Sequence, residues 1–265
     1  MTGVDRSGGG RRRRRNNGER EGRGRAEIAG QAEHVPQWGM VVDLDLCTGC
    51  QACVVACFAE NNIGMVGADQ LLMQRSRHWI WNERYWTGDY PDVQARLQLL
   101  FCQQCGTAPC EPVCPVFASV HSSDGLNLQV YNRCVGTRYC GNNCPYKVRK
   151  FNFFGPKFDA PLEQQLNPDV TVRIAGLMEK CTFCVQRIRR AREEARVQGR
   201  EVLDGEIQPA CVQTCPTGAM TFGDQADPTS EVSLLMRNPR RRRLLESLRT
   251  EPSVVYLTRG GVASG

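Results

Sequence analysis

The sequence predicts an α+β fold, low in regular secondary structure, whose short strands and few helices are tied together through cysteine. Three observations predict it. Short apolar runs recur just ahead of closely spaced cysteines, at 38–46, 97–101 and 127–131, in the manner of an internal repeat. The chain of 265 residues is 41% hydrophobic but only 7% aromatic, and it carries 26 glycines and 14 prolines, so turns and loops fill much of it and its apolar core is thin. Fifteen cysteines supply the cross-links that such a core lacks.

Residues 1–36 hold nine arginines (Arg6, Arg11 to Arg15, Arg20, Arg23 and Arg25) against five acids and almost no large apolar groups. Such a segment does not offset the entropy of ordering and reads as a disordered tail. The arginine block also suits an anionic lipid or a partner, and a misassigned start or the scar of a fused ancestor would leave the same trace. It carries most of the net charge of +6, so the body is not a nucleic-acid platform. After Arg15 come Asn-Asn-Gly-Glu-Arg-Glu-Gly, with no apolar stretch of the kind a twin-arginine export signal needs. No run approaches the eighteen or so apolar residues of a spanning helix.

A β-rich run at 38–46 delivers the chain into Cys47, with Asp43 and Asp45 on one side and Val42, Leu44 and Leu46 on the other. An insertion, 58–96, contains the densest aromatic patch, 78–86. It reads as a cover over a metal site or a second subunit, or as an ordinary β-hairpin with a small core of its own. Strands at 97–101 and 127–131 lead into the second and third cysteine runs, and 219–222 is a closing strand. Residues 185–197 form a heavily charged surface helix with Gly199 near its end. The C-terminal part, 226–265, reads as an extension with one or two short helices around Pro239 and a strand at 254–257. Within it Arg240 to Arg243 reads as a solvated helix face.

The cysteines fall into four runs: Cys47, Cys50, Cys53 and Cys57; Cys102, Cys105, Cys110 and Cys114; Cys134, Cys140 and Cys144; and Cys181, Cys184, Cys211 and Cys215. In a C-x2-C-x2-C-x3-C-P run three thiolates hold one iron–sulfur cluster and the fourth reaches a second. Pro115, Pro145 and Pro216 follow the last cysteine of three runs, whereas Phe58 follows Cys57 and leaves that corner looser. Disulfide scaffolds belong to short secreted chains with even counts, and zinc knuckles bring their ligands in pairs. Zinc would make the chain an interaction protein.

Ligand sharing pairs the outer runs with each other and the inner runs with each other. Cys47, Cys50, Cys53 and Cys215 then hold one [4Fe-4S] cluster, Cys57, Cys181, Cys184 and Cys211 a second, and Cys102, Cys105, Cys110 and Cys144 a third. The last site has Cys114, Cys134 and Cys140 only, because Thr137 stands where the remaining ligand belongs. A threonine hydroxyl stays protonated near neutral pH and is a poor iron ligand. Three thiolates imply a [3Fe-4S] cluster, with a [4Fe-4S] cluster bearing water or hydroxide as the alternative. Arg138, Lys147, Arg149 and Lys150 lie close by in sequence, either as its positive environment or as surface charge. His34, His78 and His121 are scattered, and no catalytic constellation is visible.

With these residues in hand, the chain resembles the four-cluster iron–sulfur subunit of the complex iron–sulfur molybdoenzyme family. The segment Cys134-Val-Gly-Thr-Arg-Tyr-Cys-Gly-Asn-Asn-Cys-Pro-Tyr-Lys-Val-Arg-Lys-Phe-Asn-Phe, together with 178–188 and 209–220, is most similar to the iron–sulfur part of alternative complex III. The resemblance covers about 38–258. It implies two stacked bacterial-ferredoxin-like dicluster modules within 37–225, an outer one from 37–60 with 175–225 and an inner one from 97–155, interrupted by inserted hairpins and helices. It also implies an electron-transfer subunit between an integral-membrane quinone-binding subunit and a molybdopterin-type or cytochrome c partner. Such a subunit is peripheral to the cytoplasmic membrane, and periplasmic only if carried out with an exported partner. The wiring subunit of a dimethyl sulfoxide, polysulfide or sulfite enzyme is the other member of the family that fits.

Overall fold

In the computed structural model, which describes residues 34–258, the first and the last strand of those residues lie side by side. In order the elements are β1 (Trp38–Asp43), α1 (Ala52–Glu60), α2 (Gly67–Leu72), β2 (Trp81–Thr87), β3 (Gln94–Leu100), β4 (Ser119–His121) and β5 (Asn127–Gln129). There follow α3 (Tyr139–Asn143), β6 (Lys150–Phe151), β7 (Met178–Glu179), α4 (Val185–Val197), α5 (Ala210–Gln213), β8 (Met220–Asp224), α6 (Glu231–Met236), β9 (Arg241–Arg242) and β10 (Val254–Leu257). The architecture is α+β, with little regular structure between small sheets. All but the last few residues of the arginine-rich tail lie outside the described region.

The largest sheet has the order β8-β1-β10-β9. β1 runs parallel to β10, Val42 opposite Tyr256, and antiparallel to β8, Val41 opposite Thr221. Alternation sends Met40, Val42, Val254 and Tyr256 into the main core, and Val41, Val255 and Leu257 against Val232 and Met236 of α6. Both faces are therefore covered, which is why 38–42 is almost continuously apolar. Ser230 caps α6 by accepting the Ser233 N–H at 3.2 Å. Trp38 stacks on Phe222 at 5.6 Å, and Phe183 meets Phe222 at 5.3 Å and Phe101 at 6.4 Å, carrying the core from the sheet toward the cysteines.

Several expectations are corrected. β1 stops at Asp43, and Leu46 is 50% exposed because the chain turns there into the first cysteine run. Arg240 to Arg243 is not a helix: Arg241 and Arg242 pair with Leu257 and Tyr256, and Arg240 holds Asp43 at 2.7 Å and Asp45 at 2.6 Å. Asn238-Pro239 ends the helical stretch and returns the chain onto β10. The residues beyond 226 thus contribute β10 to the interior of the sheet. The corner at Cys57 is not loose either, since without a following proline α1 continues through it to Glu60 and buries its thiol.

The aromatic insertion is a hairpin, β2 with β3, from Trp81 opposite Leu100 to Thr87 opposite Gln94. Trp79, Ile80, Leu99 and Phe101 at its base are buried in the main core, whereas Tyr85 and Trp86 toward its tip are exposed. In α4, Ile188, Ala191 and Ala195 face inward at helical spacing and the charged residues face out.

Candidate metal centres

The first and third cysteine runs fold into the same turn. Gly49 (φ 70°) and Gly136 (φ 73°) stand two residues after the first cysteine, and Gln51 (φ 64°) and Arg138 (φ 62°) stand four after it. These left-handed residues cap α1 and α3, whose second residues are Cys53 and Cys140. Thr137 thus occupies the station of Cys50, and both are exposed. Glycine is needed at 136, where a Cβ would stand 2.3 Å from the Gly176 carbonyl oxygen.

The fifteen cysteines are free thiols, and they gather. Cys47, Cys50, Cys53 and Cys215 line one small cavity, together with Asn82 and Leu99 from the hairpin base. Burial pushes the Cys53 thiol up to about 11, helped by the other three sulfurs. Cys57, Cys181, Cys184 and Cys211 meet deeper: burial drives Cys57 well up, and its three partners add to the effect. Burial likewise raises Cys105 to about 12, with Cys102, Cys110 and Cys144 as its neighbours. The remaining three are looser. Cys140 faces Cys134, and Cys114 shares with Cys140 a neighbour, Arg149. Burial alone would raise Cys114, but N–H groups of Val116, Ser119 and Ala118 and the Arg149 charge outweigh it and lower the thiol.

The four groups adjoin one another in sequence. The charge of Cys53 in the first helps raise Cys211 in the second, that of Cys102 in the third helps raise Cys181 in the second, and that of Cys110 in the third helps raise Cys140 in the fourth. Each group thus lies near enough to the next for their charges to interact. Among the described residues no three His, Cys, Asp or Glu side chains close on a point tightly enough for a single metal ion.

Hydrogen-bond donors aim at these sulfurs. Backbone N–H groups of Ala118, Met178 and Ala219 donate to Cys114, Cys134 and Cys215 at 3.1, 3.3 and 3.3 Å. Ala118 and Ala219 each stand four residues after the cysteine of a Cys-Pro corner, so one loop design serves two sites. Asn61 Nδ2 reaches Cys57 Sγ at 3.6 Å and Cys184 Sγ at 3.8 Å. Sequence reasoning missed Asn61, although its place one turn after Cys57 at the end of α1 puts it on the same face. Converging thiols with N–H groups pointed at sulfur are the donor set that iron–sulfur clusters take, and the residues present fit them.

The four cations fare differently. Arg149 is buried and donates to Gln129 Oε1 (2.8 Å), Ser119 Oγ (2.5 Å) and Asn127 Oδ1 (3.0 Å). Lys150 lies 4.8 Å above the Trp81 ring, and burial lowers its ammonium below the usual lysine value. Arg138 lies over the rings of Phe151 and Phe153, at 5.0 and 5.8 Å, on the exposed rim. Lys147 is exposed and donates to the Asn142 carbonyl. His121 pairs with Glu111 at 3.1 Å, and His78 packs between Phe58 and Trp81.

A second buried charge group is one that sequence reasoning missed. Glu179 accepts from Arg77 at 2.5 Å and from the Trp79 ring N–H at 3.3 Å, and it lies 3.3 Å from Arg173, which is fully buried against Trp79 and Tyr131. Lys180, also fully buried, donates to the Cys181 carbonyl at 2.8 Å. No helix is long and apolar enough to cross a membrane among the described residues.

No family model matches the chain. It is 43% identical over 228 residues to the iron–sulfur cluster-binding subunit of menaquinone reductase from Nitratidesulfovibrio vulgaris, covering 84% of this chain and 89% of that one. It is 35% identical to iron–sulfur subunit 1 of the Hdr-like menaquinol oxidoreductase of Archaeoglobus fulgidus (85% and 84% covered). With the B component of polysulfide reductase from Wolinella succinogenes the identity is 34%, over 86% of this chain and 98% of the relative. Similarity of this extent, on a chain with fifteen cysteines, makes it a member of the family of iron–sulfur electron-transfer subunits of respiratory oxidoreductase complexes.

Proposed function

We propose that this subunit carries single electrons between an integral-membrane quinone-binding subunit and a molybdopterin-type or cytochrome c partner, in a quinol-oxidising complex of the alternative complex III kind. The observation that carries the reading is the gathering of the cysteines into groups whose charges act on one another from the first to the last. In it Cys47, Cys50, Cys53 and Cys215, then Cys57, Cys181, Cys184 and Cys211, then Cys102, Cys105, Cys110 and Cys144 each hold a [4Fe-4S] cluster, and Cys114, Cys134 and Cys140 hold a [3Fe-4S] cluster. The clusters, when bound, are the one-electron carriers. The first two sets form an outer ferredoxin-like module and the last two an inner one.

The residues of the chain do the rest. N–H groups aimed at Cys114, Cys134 and Cys215 stabilise added negative charge, the Cys-Pro corners keep the backbone off the sulfurs, and the core excludes water between sets. Thr137, at the exposed rim, leaves the fourth set with three thiolates. Arg149, which acts on Cys114 and Cys140, furnishes most of its positive environment, with Arg138 and Lys147 on the exposed rim and Lys150 nearer Cys144 of the third set. Membrane contact is indirect, through the quinone-binding subunit. A second reading, electrons delivered toward a membrane quinone, is favoured by the relative named menaquinone reductase.

The test is anaerobic isolation of the complex from membranes, followed by addition of a menaquinol analogue. Reduction of this subunit's iron–sulfur absorbance, blocked by a quinone-site inhibitor, supports the proposal. Recovery of the chain without a membrane subunit, or no reduction by quinol while the partner's substrate reduces it, contradicts the first reading.

A further inference from the structure

Arg149 is a buried cation whose three side-chain acceptors, Gln129, Ser119 and Asn127, are all neutral, and the charges that act on it most are those of Cys110, Cys140 and Cys102. Ser119 and Gln129 face each other across the β4–β5 ladder, with Asn127 on the same face of β5, and the three form a cradle for the planar fork. The cradle touches the neighbouring set as well. Ser119 Oγ, which accepts from Arg149, donates onward to Cys110 Sγ at 3.6 Å, and Asn127 Oδ1 lies 3.7 Å from the same sulfur. The charges of Cys110 in the one set and Cys140 in the other both act on the guanidinium.

We propose that Arg149 is a positioning residue shared by the two inner sites, joining Cys140 of the three-cysteine set to Cys110 of the four-cysteine set through Ser119 and raising both reduction potentials together. The inference rests on the cluster ligation proposed above. One electron arriving at either site adds one negative charge, and the fixed cation offsets it without a proton. An exposed cation of equal charge such as Arg138 is screened by water and salt, and a buried one much less.

The experiment is an EPR-monitored potentiometric titration of the full chain in its complex, with iron and sulfide counted on the same samples. Arg149→Gln is expected to lower both inner potentials by a tenfold change in the reduction equilibrium, about 59 mV for one electron, with the two outer potentials unmoved. Arg149→Lys should recover most of that shift, and Arg138→Gln should move either potential far less. Ser119→Ala keeps the cation and is expected to lower the potential of the Cys110 site. A fall at one inner site only in Arg149→Gln, or an equal fall at all four, overturns the inference. Should Arg149→Gln fail to assemble, Ser119→Ala decides: wild-type potentials at both inner sites would overturn it. A wild-type sample without iron or a trinuclear signal would sink the ligation proposal instead.

Discussion

Thr137 and Cys50 occupy the same station in two turns of matching backbone, each preceded by a left-handed glycine and followed by a left-handed helix cap. One turn therefore presents a thiol where the other presents a hydroxyl, with no change in the main chain that carries it. At that station the first and fourth sites differ in what the side chain can offer to iron.

Thr137→Cys should consequently convert the proposed trinuclear site to a [4Fe-4S] one without disturbing the fold. Iron should rise by about one atom per chain, the trinuclear signal should vanish, and the potential at that site should fall. An unchanged spectrum would mean that position 137 does not face the site.

Gly136→Ala attacks the same turn from the backbone. The left-handed φ disfavours any side chain, and the new Cβ would press on the Gly176 carbonyl at 2.3 Å and on Phe151 at 3.1 Å. The expected outcome is loss of the trinuclear signal with the other sites retained. Gly67→Ala, at φ 77° with open space around it, carries only the conformational cost and should leave all four intact.

Glu179 anchors two buried arginines from different parts of the chain. Glu179→Gln leaves their charges uncompensated, and removing one partner of a buried ion pair typically costs about 3–5 kcal/mol. Anaerobic denaturant titration of the holoprotein should show a loss of that order. A loss under about 1 kcal/mol would show that the group is not held as described.

Part of this arrangement was legible in the sequence. Cys47, Cys50, Cys53 and Cys215, grouped from their spacing alone, line one cavity, although the strands between them were unknown. The helix at Val185–Val197 was readable because Ile188, Ala191 and Ala195 repeat at helical spacing in a charged background. Tertiary pairing was not. Arg241 and Arg242 became a strand only because β10 lies beside them, and Arg77 is brought to Arg173 and Glu179 across about a hundred residues. Charged residues read as surface unless their partners are known, and nothing local marks a buried pair.

Iron removal tests how far the clusters hold the fold. Four cations (Arg77, Arg149, Arg173 and Lys180) are buried among the described residues against two acids, Asp124 and Glu179, and most of the cysteines belong to the main core. Chelation should therefore abolish the cooperative thermal transition and the near-ultraviolet circular dichroism together. An apoprotein that still melts cooperatively near the holoprotein midpoint would show that packing alone suffices.

The most direct measurement is low-temperature EPR of the anaerobically purified protein, oxidised and then reduced, with iron and sulfide counted on the same sample. The account predicts one trinuclear signal when oxidised, joined on reduction by signals from three [4Fe-4S] sites. Four [4Fe-4S] sites with no trinuclear one, or a protein without iron, would contradict it.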